Sequence, residues 1–455
     1  MEKHFWARCI AAASIAVLLA QSEVHSEGGW KAGVATVNIT PPQLMWMAGY
    51  SSRTRPAEGK LTDLWAKALV LEDDAGRRAM LITLDLVGIG RQLSQKICET
   101  LGDQKWKREQ IVICMSHTHT GPVVGRNLLT LHFSQLPAEQ QQRIEQYEQF
   151  LHDRVVEAAT AAQKDLAPAS LSSGQGTVGF AVNRRENPAG TVVSRRRTGT
   201  LRGPVDHDVP ILAVRRGKQL RAVVFGYACH ATVLNSYKWS GDYPGFAQIE
   251  LQRRNPQCVA MFWAGCGGDQ NPLPRRTVDL AKTYGGRLAD AVQAVLASEM
   301  RPVAPRLNFK YREIDLAFSK LPDLKQWEKE AESADPFVAA RAAIYLEQLK
   351  SGKPIKTSYP YPVATWQLGD IRWAFLGGEV VVDYALRIKS EQSGNTWVAA
   401  YANDVMAYVP SCRVLREGGY EGGDAMIYYG LPCPWSEDVE RGVIGEVTRQ
   451  FSGYD

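Results

Sequence analysis

Met115-Ser116-His117-Thr118-His119-Thr120-Gly121-Pro122 sets two imidazoles two positions apart, where an apolar stretch runs into a Gly-Pro turn. In an extended segment, residues i and i+2 project to the same side. The pair can therefore face one divalent ion, or one ring can ligate while the other meets a substrate. A His-x-His pair recurs in unrelated metallohydrolases and by chance, so further donors must decide its meaning. Past residue 26 the other histidines are His132, His152, His207 and His230. His230, in Cys229-His230-Ala231-Thr232, follows the apolar segment 220–228 and stands at a strand end, where ligands collect in open α/β sheets. His132 and His152 lie in or beside a Gln-rich helical stretch and read as surface residues. His207, between Asp206 and Asp208, reads as a salt-bridged loop residue. Acids in comparable settings are Asp85, Asp242 in SGDYPG, Asp269 in GGDQNP and Glu379 in LGGE. Glycine turns let the backbone approach a ligand closely, yet Gly-Asp is also an ordinary turn pair. No Cys-x-x-Cys pair occurs, so any metal must be held by nitrogen and oxygen.

The elements that position these groups follow from periodicity. Segments 33–40, 65–71 and 78–85 alternate as strands do, the third ending on Asp85. Helical spacing over 92–101, stopped by Gly102, leads into 110–115 (QIVICM), a near-continuous apolar strand of the kind buried on both faces. Segments 139–166 and 277–298 predict long helices, 220–228 and 258–264 buried strands, and 371–376 and 396–400 further strands. The Lys-, Glu- and Ala-rich segment 321–351 predicts a solvated helical pair. Segment 183–204 carries six arginines against one acid, Glu186, and predicts a long surface loop in which Arg195, Arg196 and Arg197 are simply solvated. Alternation without linker or repeat predicts one α/β unit, a large mixed-sheet catalytic domain with flanking helices.

A chain of 455 residues has room for about three ordinary domains or one large α/β unit. Hydrophobic residues at 45% and charged residues at 22% exclude disordered, collagenous and coiled-coil classes. The net charge of +5 is too dilute to argue for nucleic acid, and the arginine loop lacks interleaved aromatics. No nucleic-acid partner and at most peripheral membrane contact are expected. Residues 1–26 read as a secretory signal: Lys3 and Arg8 precede an uncharged run at 9–20, shorter than the roughly 20 residues of a spanning helix, and Val24-His25-Ser26 offers a cleavage site. A secreted or periplasmic protein comprising 27–455 is expected. Cleavage would remove Cys9 and leave an odd number of cysteines. Of these, Cys412 and Cys433, bracketing a glycine-rich loop, are the first choice for a bridge.

The ordered series THTG, NR, HAT, SGDYPG, GGDQNP, GGE, AYVPS and YEGG, from about Gly33 to Gly423, resembles the neutral/alkaline ceramidase family. These are zinc amidases that split ceramide into sphingosine and a fatty acid. The resemblance implies zinc as cofactor, with His117 and His230 as imidazole ligands, Glu379 as carboxylate ligand and Tyr408 as tyrosine ligand. It makes His119 the active-site histidine beside the metal and Arg184 the arginine that helps hold the substrate amide. Zinc-activated water would attack the amide of ceramide or a related N-acyl lipid, with Arg184 or a protonated His119 stabilising the oxyanion.

Two departures stand out. Where the family has a serine in Gly-Asp-Val-Ser-Pro-Asn, this chain has Asn271, which has no nucleophilic hydroxyl but can hydrogen-bond a substrate. Larger family members carry a β-sandwich after the catalytic region, and the sequence here runs to Asp455, so that domain is expected to be missing. Other readings are a hydrolase of the same scaffold for an ester or acylated amine, and a non-catalytic metal-binding protein. An amidohydrolase barrel is opposed by the late position of the His-x-His and the lack of an eightfold repeat.

Overall fold

The computed structural model of the chain describes residues 29–392 and 394–454; the expected export signal lies outside them. The strands bearing on the site are β1 (Trp30–Asn38), β2 (Trp65–Glu72), β3 (Arg78–Leu84), β4 (Ile111–Met115), β5 (Ala167–Thr177), β6 (Asp208–Arg216), β7 (Gln219–Tyr227) and β8 (Val259–Ala264). They form one mixed sheet in the order β8-β7-β6-β5-β1-β2-β3-β4, with Arg301–Pro302 also pairing onto β5. The central pairs are antiparallel. At the two edges β4 runs parallel to β3, and β8 parallel to β7. Each parallel pair needs a crossover. Helix α1 (Arg91–Gly102) supplies the first and α2 (Asp242–Arg254) the second.

Strand parity divides the core. On β4, Ile111, Ile113 and Met115 join the cluster under the helices, and Val112 and Cys114 face the other way. That other face is covered by a second sheet of β9 (Leu307–Ala317), β10 (Ser358–Leu368), β11 (Ile371–Leu376) and β12 (Asn395–Ala399). Its Trp366, Trp373 and Trp397 pack with Trp30 and Trp263 of the large sheet. The result is a helix–sheet–sheet–helix stack, with the helices Val382–Glu391 and Val439–Phe451 on the outer face of the second sheet; strands are buried on both faces, which is why β4 and β8 read as continuous apolar runs. The stretch after β12 ties the two edges of the large sheet together: Ala400 N donates to Ala264 O at the end of β8, Met115 N donates to Tyr401 O, and Asn403 N to Ile113 O.

Several expectations need correction. Strands β5, β6, β9 and β10 escaped notice: β5, which reads APASLSSGQGT, and β9 are half-exposed and carry no apolar run, whereas β6 and β10 are mostly buried but contain prolines, which argue against a strand. The helical pair exists, as Leu324–Ala331 and Pro336–Lys350, but it closes on its own small core, with Trp327 stacked on Tyr345 at 4.8 Å. Segment 183–204 is not a free loop: it contains the short helix Val192–Arg197, Arg195 donates to Glu186 O and Asn187 Oδ1, and Arg196 to Phe180 O. His132 and His152 are buried rather than exposed. His152 bridges Thr100 and Asp153, and His132 Nε2 accepts from Gly49 N. His207 bonds Ala181 O, while Asp206 and Asp208 both pair with Lys389. Cys412 and Cys433 are free thiols, turned to the carbonyls of Glu437 and Ser319.

The edge-closing stretch also stores a pH dependence. Asp404 is 3% exposed; it accepts from Tyr359 Oη at 2.7 Å, and burial pushes its carboxyl up to about 7. An acid bound more tightly to its proton when folded loses stability as pH rises from the unfolded value near 3.8 through about 7. At about 1.4 kcal/mol per tenfold change in proton affinity, the loss is at most about 4 kcal/mol. Asp404→Asn should flatten this slope, read as denaturation midpoints from pH 4 to pH 8. Parallel slopes for the two proteins would exclude Asp404 as the source.

Candidate metal centre and cleft

Each candidate side chain stands just past the end of a strand. His117 is two residues beyond β4 and His230 three beyond β7. The two loops run side by side: His119 N donates to Ala231 O, and Thr118 and Ala231 form a parallel bridge. Glu379 lies three residues past β11 in the bridge Glu379–Val380, whose parallel partner is Tyr408–Val409, so Glu379 and Tyr408 are directly opposite. Gly378 makes that pairing possible, because a Cβ there would sit 2.7 Å from Ala407 O, and its φ of +75° suits glycine. His117 itself holds φ 58° and Tyr401, whose ring lies 4.2 Å from the His117 ring, holds φ 53°. Left-handed settings at non-glycine residues persist where the surroundings over-determine them, and they gather at functional sites.

The polar atoms converge. His230 Nε2 lies 2.9 Å and His117 Nε2 3.2 Å from Glu379 Oε2; Tyr408 Oη lies 3.2 Å from His230 Nε2, and His119 Nε2 3.1 Å from His117 Nε2. The Nδ1–H of His117 donates to Val87 O and that of His230 to Gly267 O, both at 2.6 Å. These bonds fix the tautomer and leave both Nε2 lone pairs aimed inward, the second-layer support typical of metal-bound imidazole. Burial, and then Arg184, pushes His230 down to about 4, so the ring is neutral. Burial alone would raise the Glu379 carboxyl, but His117 and His230 outweigh it and hold it well below the usual carboxylate range. His117 Nε2, His230 Nε2 and Glu379 Oε2 thus turn electron-rich atoms toward one point, which fits a divalent cation with nitrogen and oxygen ligands. His117, His119 and His230 offer ligand atoms all within 4.8 Å of one another.

His119 differs from the other two. Its Nδ1 has no hydrogen-bond partner, its ring leans on Tyr50 at 4.9 Å, and it lines a cleft of about 660 Å³ that His117, His230 and Glu379 do not reach. Burial and then the neighbouring imidazoles push it well below its ordinary value, so the expected protonated His119 is replaced by a neutral ring. Gly49 closes one side at φ +93°, where a Cβ would come within 2.4 Å of His119 Nδ1. Gly49→Ala should therefore displace this ring and cost about 1–3 kcal/mol of stability. Turnover should fall while bound zinc is kept, as melting, metal content and kinetics on one preparation will reveal; a variant with unaltered kinetics would leave His119 without a role.

Arg184 spans the cleft wall. Its Nε donates to Glu421 Oε1 at 2.6 Å and its Nη2 to Tyr408 Oη at 3.2 Å. Burial would weaken its charge, but Tyr408 and Glu421 hold the guanidinium well above its ordinary value. Asn271 stands in the short strand Gln270–Pro272, antiparallel to Ala181–Asn183, so the NR and GGDQNP motifs are neighbours. It lines the cleft, with Oδ1 accepting from Thr232. The remaining acids brace loops: Asp269 ties Asn183 and Val382 N, Asp242 caps Leu234 N and Tyr243 N, and Asp85 takes Trp65 N and Gln248. Behind the two imidazoles stand the carbonyls of Val87 and Gly267, not the carboxylates of Asp85 or Asp242. Sequence reasoning missed Tyr429, whose hydroxyl donates to Glu379 Oε1, and Arg53, which donates to His119 O. No local pattern marks either; Glu421 did lie within a quoted motif, YEGG.

The family described as neutral/alkaline non-lysosomal ceramidase, N-terminal, matches residues 30–273. The neutral ceramidase of Pseudomonas aeruginosa is 22% identical over 467 aligned positions, which cover 86% of this chain and 67% of that protein. A crystal structure of neutral ceramidase from Pseudomonas aeruginosa covers 92% of this chain and 73% of its own at 18% identity, with a TM-score of 0.70. A ceramidase complexed with C2 matches with the same TM-score and identity, covering 92% and 74%.

Proposed function

The chain belongs to the neutral/alkaline non-lysosomal ceramidase family, and from there we propose that it is an exported zinc-dependent amidase acting on ceramide or a related N-acyl lipid. The observation that carries this is the meeting of two oriented imidazoles, one carboxylate and one phenol beneath a cleft walled by a charged arginine. His117, His230, Glu379 and Tyr408 would hold the ion. A zinc ion there would supply a Lewis acid that brings the pKa of water near neutrality and polarises the acyl oxygen.

The chain's own residues do the rest. In hydrolysis the amide C–N bond breaks, hydroxyl adds to the acyl carbon and a proton goes to the leaving nitrogen. His119, neutral and facing the cleft, is placed to accept a proton from water and return it to that nitrogen. Arg184 keeps a permanent positive charge where the acyl oxygen gains negative charge. Asn271 is an amide without nucleophilic oxygen; its role is to hydrogen-bond the substrate, leaving water as the attacking group. The pattern of residues 1–26 supports export.

Fluorescent N-acyl sphingoid, short acyl-amide and ester substrates, each assayed with and without chelator, test this reading. Chelator-sensitive cleavage of the amides is expected. Preference for the ester would move the chemistry to another acyl bond, and no chelator-sensitive turnover anywhere would leave a metal-binding protein without catalysis.

A further inference from the structure

The wall of the cleft does not suit two alkyl chains. Among its lining residues Ala189 and Leu273 are the aliphatic side chains, whereas Arg184, Arg185, Arg275 and Arg276 all face it. Two of these charges are already answered: Glu421 takes Arg184 and Arg185, and Glu417 takes Arg185 and Arg413. The third carboxylate on the wall, Glu186, sits against Gly203. Arg275 and Arg276 are different. Among the described residues Arg275 has no ion pair or hydrogen bond, and Arg276 has only the Tyr50 hydroxyl, 3.0 Å from Nη1. Burial and then the like charge of Arg276 depress the Arg275 guanidinium, and the pull of Tyr50 and of the buried Asp242 does not offset them.

Placement gives the pair its meaning. Both follow Asn271 within five residues, and Arg276 is held at φ 98° by its N–H donating to Val233 O at 2.7 Å. Its guanidinium lies over the Tyr50 ring at 5.0 Å, and that ring packs on His119. The Arg276 fork therefore stands one aromatic ring away from the reacting centre, and Arg275 lines the same cleft wall.

We propose, on the basis of the amidase reading above, that the natural substrate is an acylated amine with a carboxylate or phosphate a few bonds from the amide nitrogen, bound by Arg275 and Arg276. Guanidinium forks match both oxyanions in bidentate fashion. Such a substrate needs one acyl chain and a small acidic head, which suits a polar cleft better than the twin chains of ceramide.

The test pairs binding with turnover. Three amides, N-octanoylglycine, N-octanoylphosphoethanolamine and the neutral N-octanoylethanolamine, report turnover on the metal-loaded protein. Their ketone analogues, with methylene replacing the amide N–H, report binding by calorimetry without cleavage. The acidic ketones are expected to bind at least about tenfold tighter than the neutral one, the worth of one charge-assisted hydrogen bond. That preference should shrink to within about twofold in the Arg275→Ala/Arg276→Ala double variant and return in part with Lys at both positions. Should the alanine variant not fold, wild-type affinity for the acidic ketones alone should fall on raising salt. Equal affinity for acidic and neutral ketones, or a preference that survives the double variant, overturns the proposal. Preference in binding with no turnover of any amide would instead overturn the amidase reading and leave the anion site standing. The glycine and phosphate arms tell the two head groups apart.

Discussion

Replacing His117 or His230 by alanine should lower zinc affinity by at least about a hundredfold and remove turnover with it. The figure follows from outer-layer partners alone, whose loss costs about 10- to 100-fold; deleting a ligand itself must cost no less. Each ring is committed at both ends, Nδ1–H to a backbone carbonyl and Nε2 to the shared point near Glu379 Oε2. Truncation to alanine gives up one hydrogen bond of the fold, about 1 kcal/mol, so melting of the metal-free protein should shift by only a few degrees. Metal content after dialysis separates this outcome from unfolding. His152→Gln provides the control, because His152 is buried on the long helix Ala138–Lys164, away from the centre, and should keep its zinc.

Arg184→Ala has the opposite signature: zinc retained, kcat lowered by about a hundred- to a thousandfold, the cost of one oxyanion donor. Glu421 would not be stranded by this change, because Arg185 Nη1 still donates to its second oxygen at 2.7 Å. Stability should therefore suffer less than for an orphaned buried carboxylate. Arg184→Lys keeps the charge but not the fork that reaches Glu421 and Tyr408 together, so it should recover only part of the rate. Equal zinc loss in the Arg184, His117 and His230 variants would refute the division between metal-holding and substrate-facing residues.

Much of this site was legible because its residues follow strands whose apolar runs are easy to see. His117 follows QIVICM and His230 follows the buried strand Gln219–Tyr227, and both strands are apolar on two faces because sheet and helices cover them. Glu379 and Tyr408 were legible only as members of an ordered motif series, since a two-residue bridge such as Glu379–Val380 carries no period. The half-exposed strands were missed for the same physical reason that they are tolerant: one face meets solvent and needs no apolar pattern. The buried His132 and His152 illustrate another limit. His152 occupies the buried stripe of its helix, and a single imidazole in a Gln-rich stretch does not reveal which stripe it is on. Outside the centre, cations were read as solvated because sequence shows charge but not partners; Arg195 and Arg196 reach backbone carbonyls that only folding brings near.

The stretch after β12 that laces β4 to β8 also sets where a bound ion would stand. His117 follows β4 at one edge of the large sheet, His230 follows β7 next to the other edge, and Glu379 and Tyr408 come from the second sheet, so the donor set is complete only where the two sheets meet. A zinc ion held by these four residues would therefore span the seam between the two sheets and pin them together.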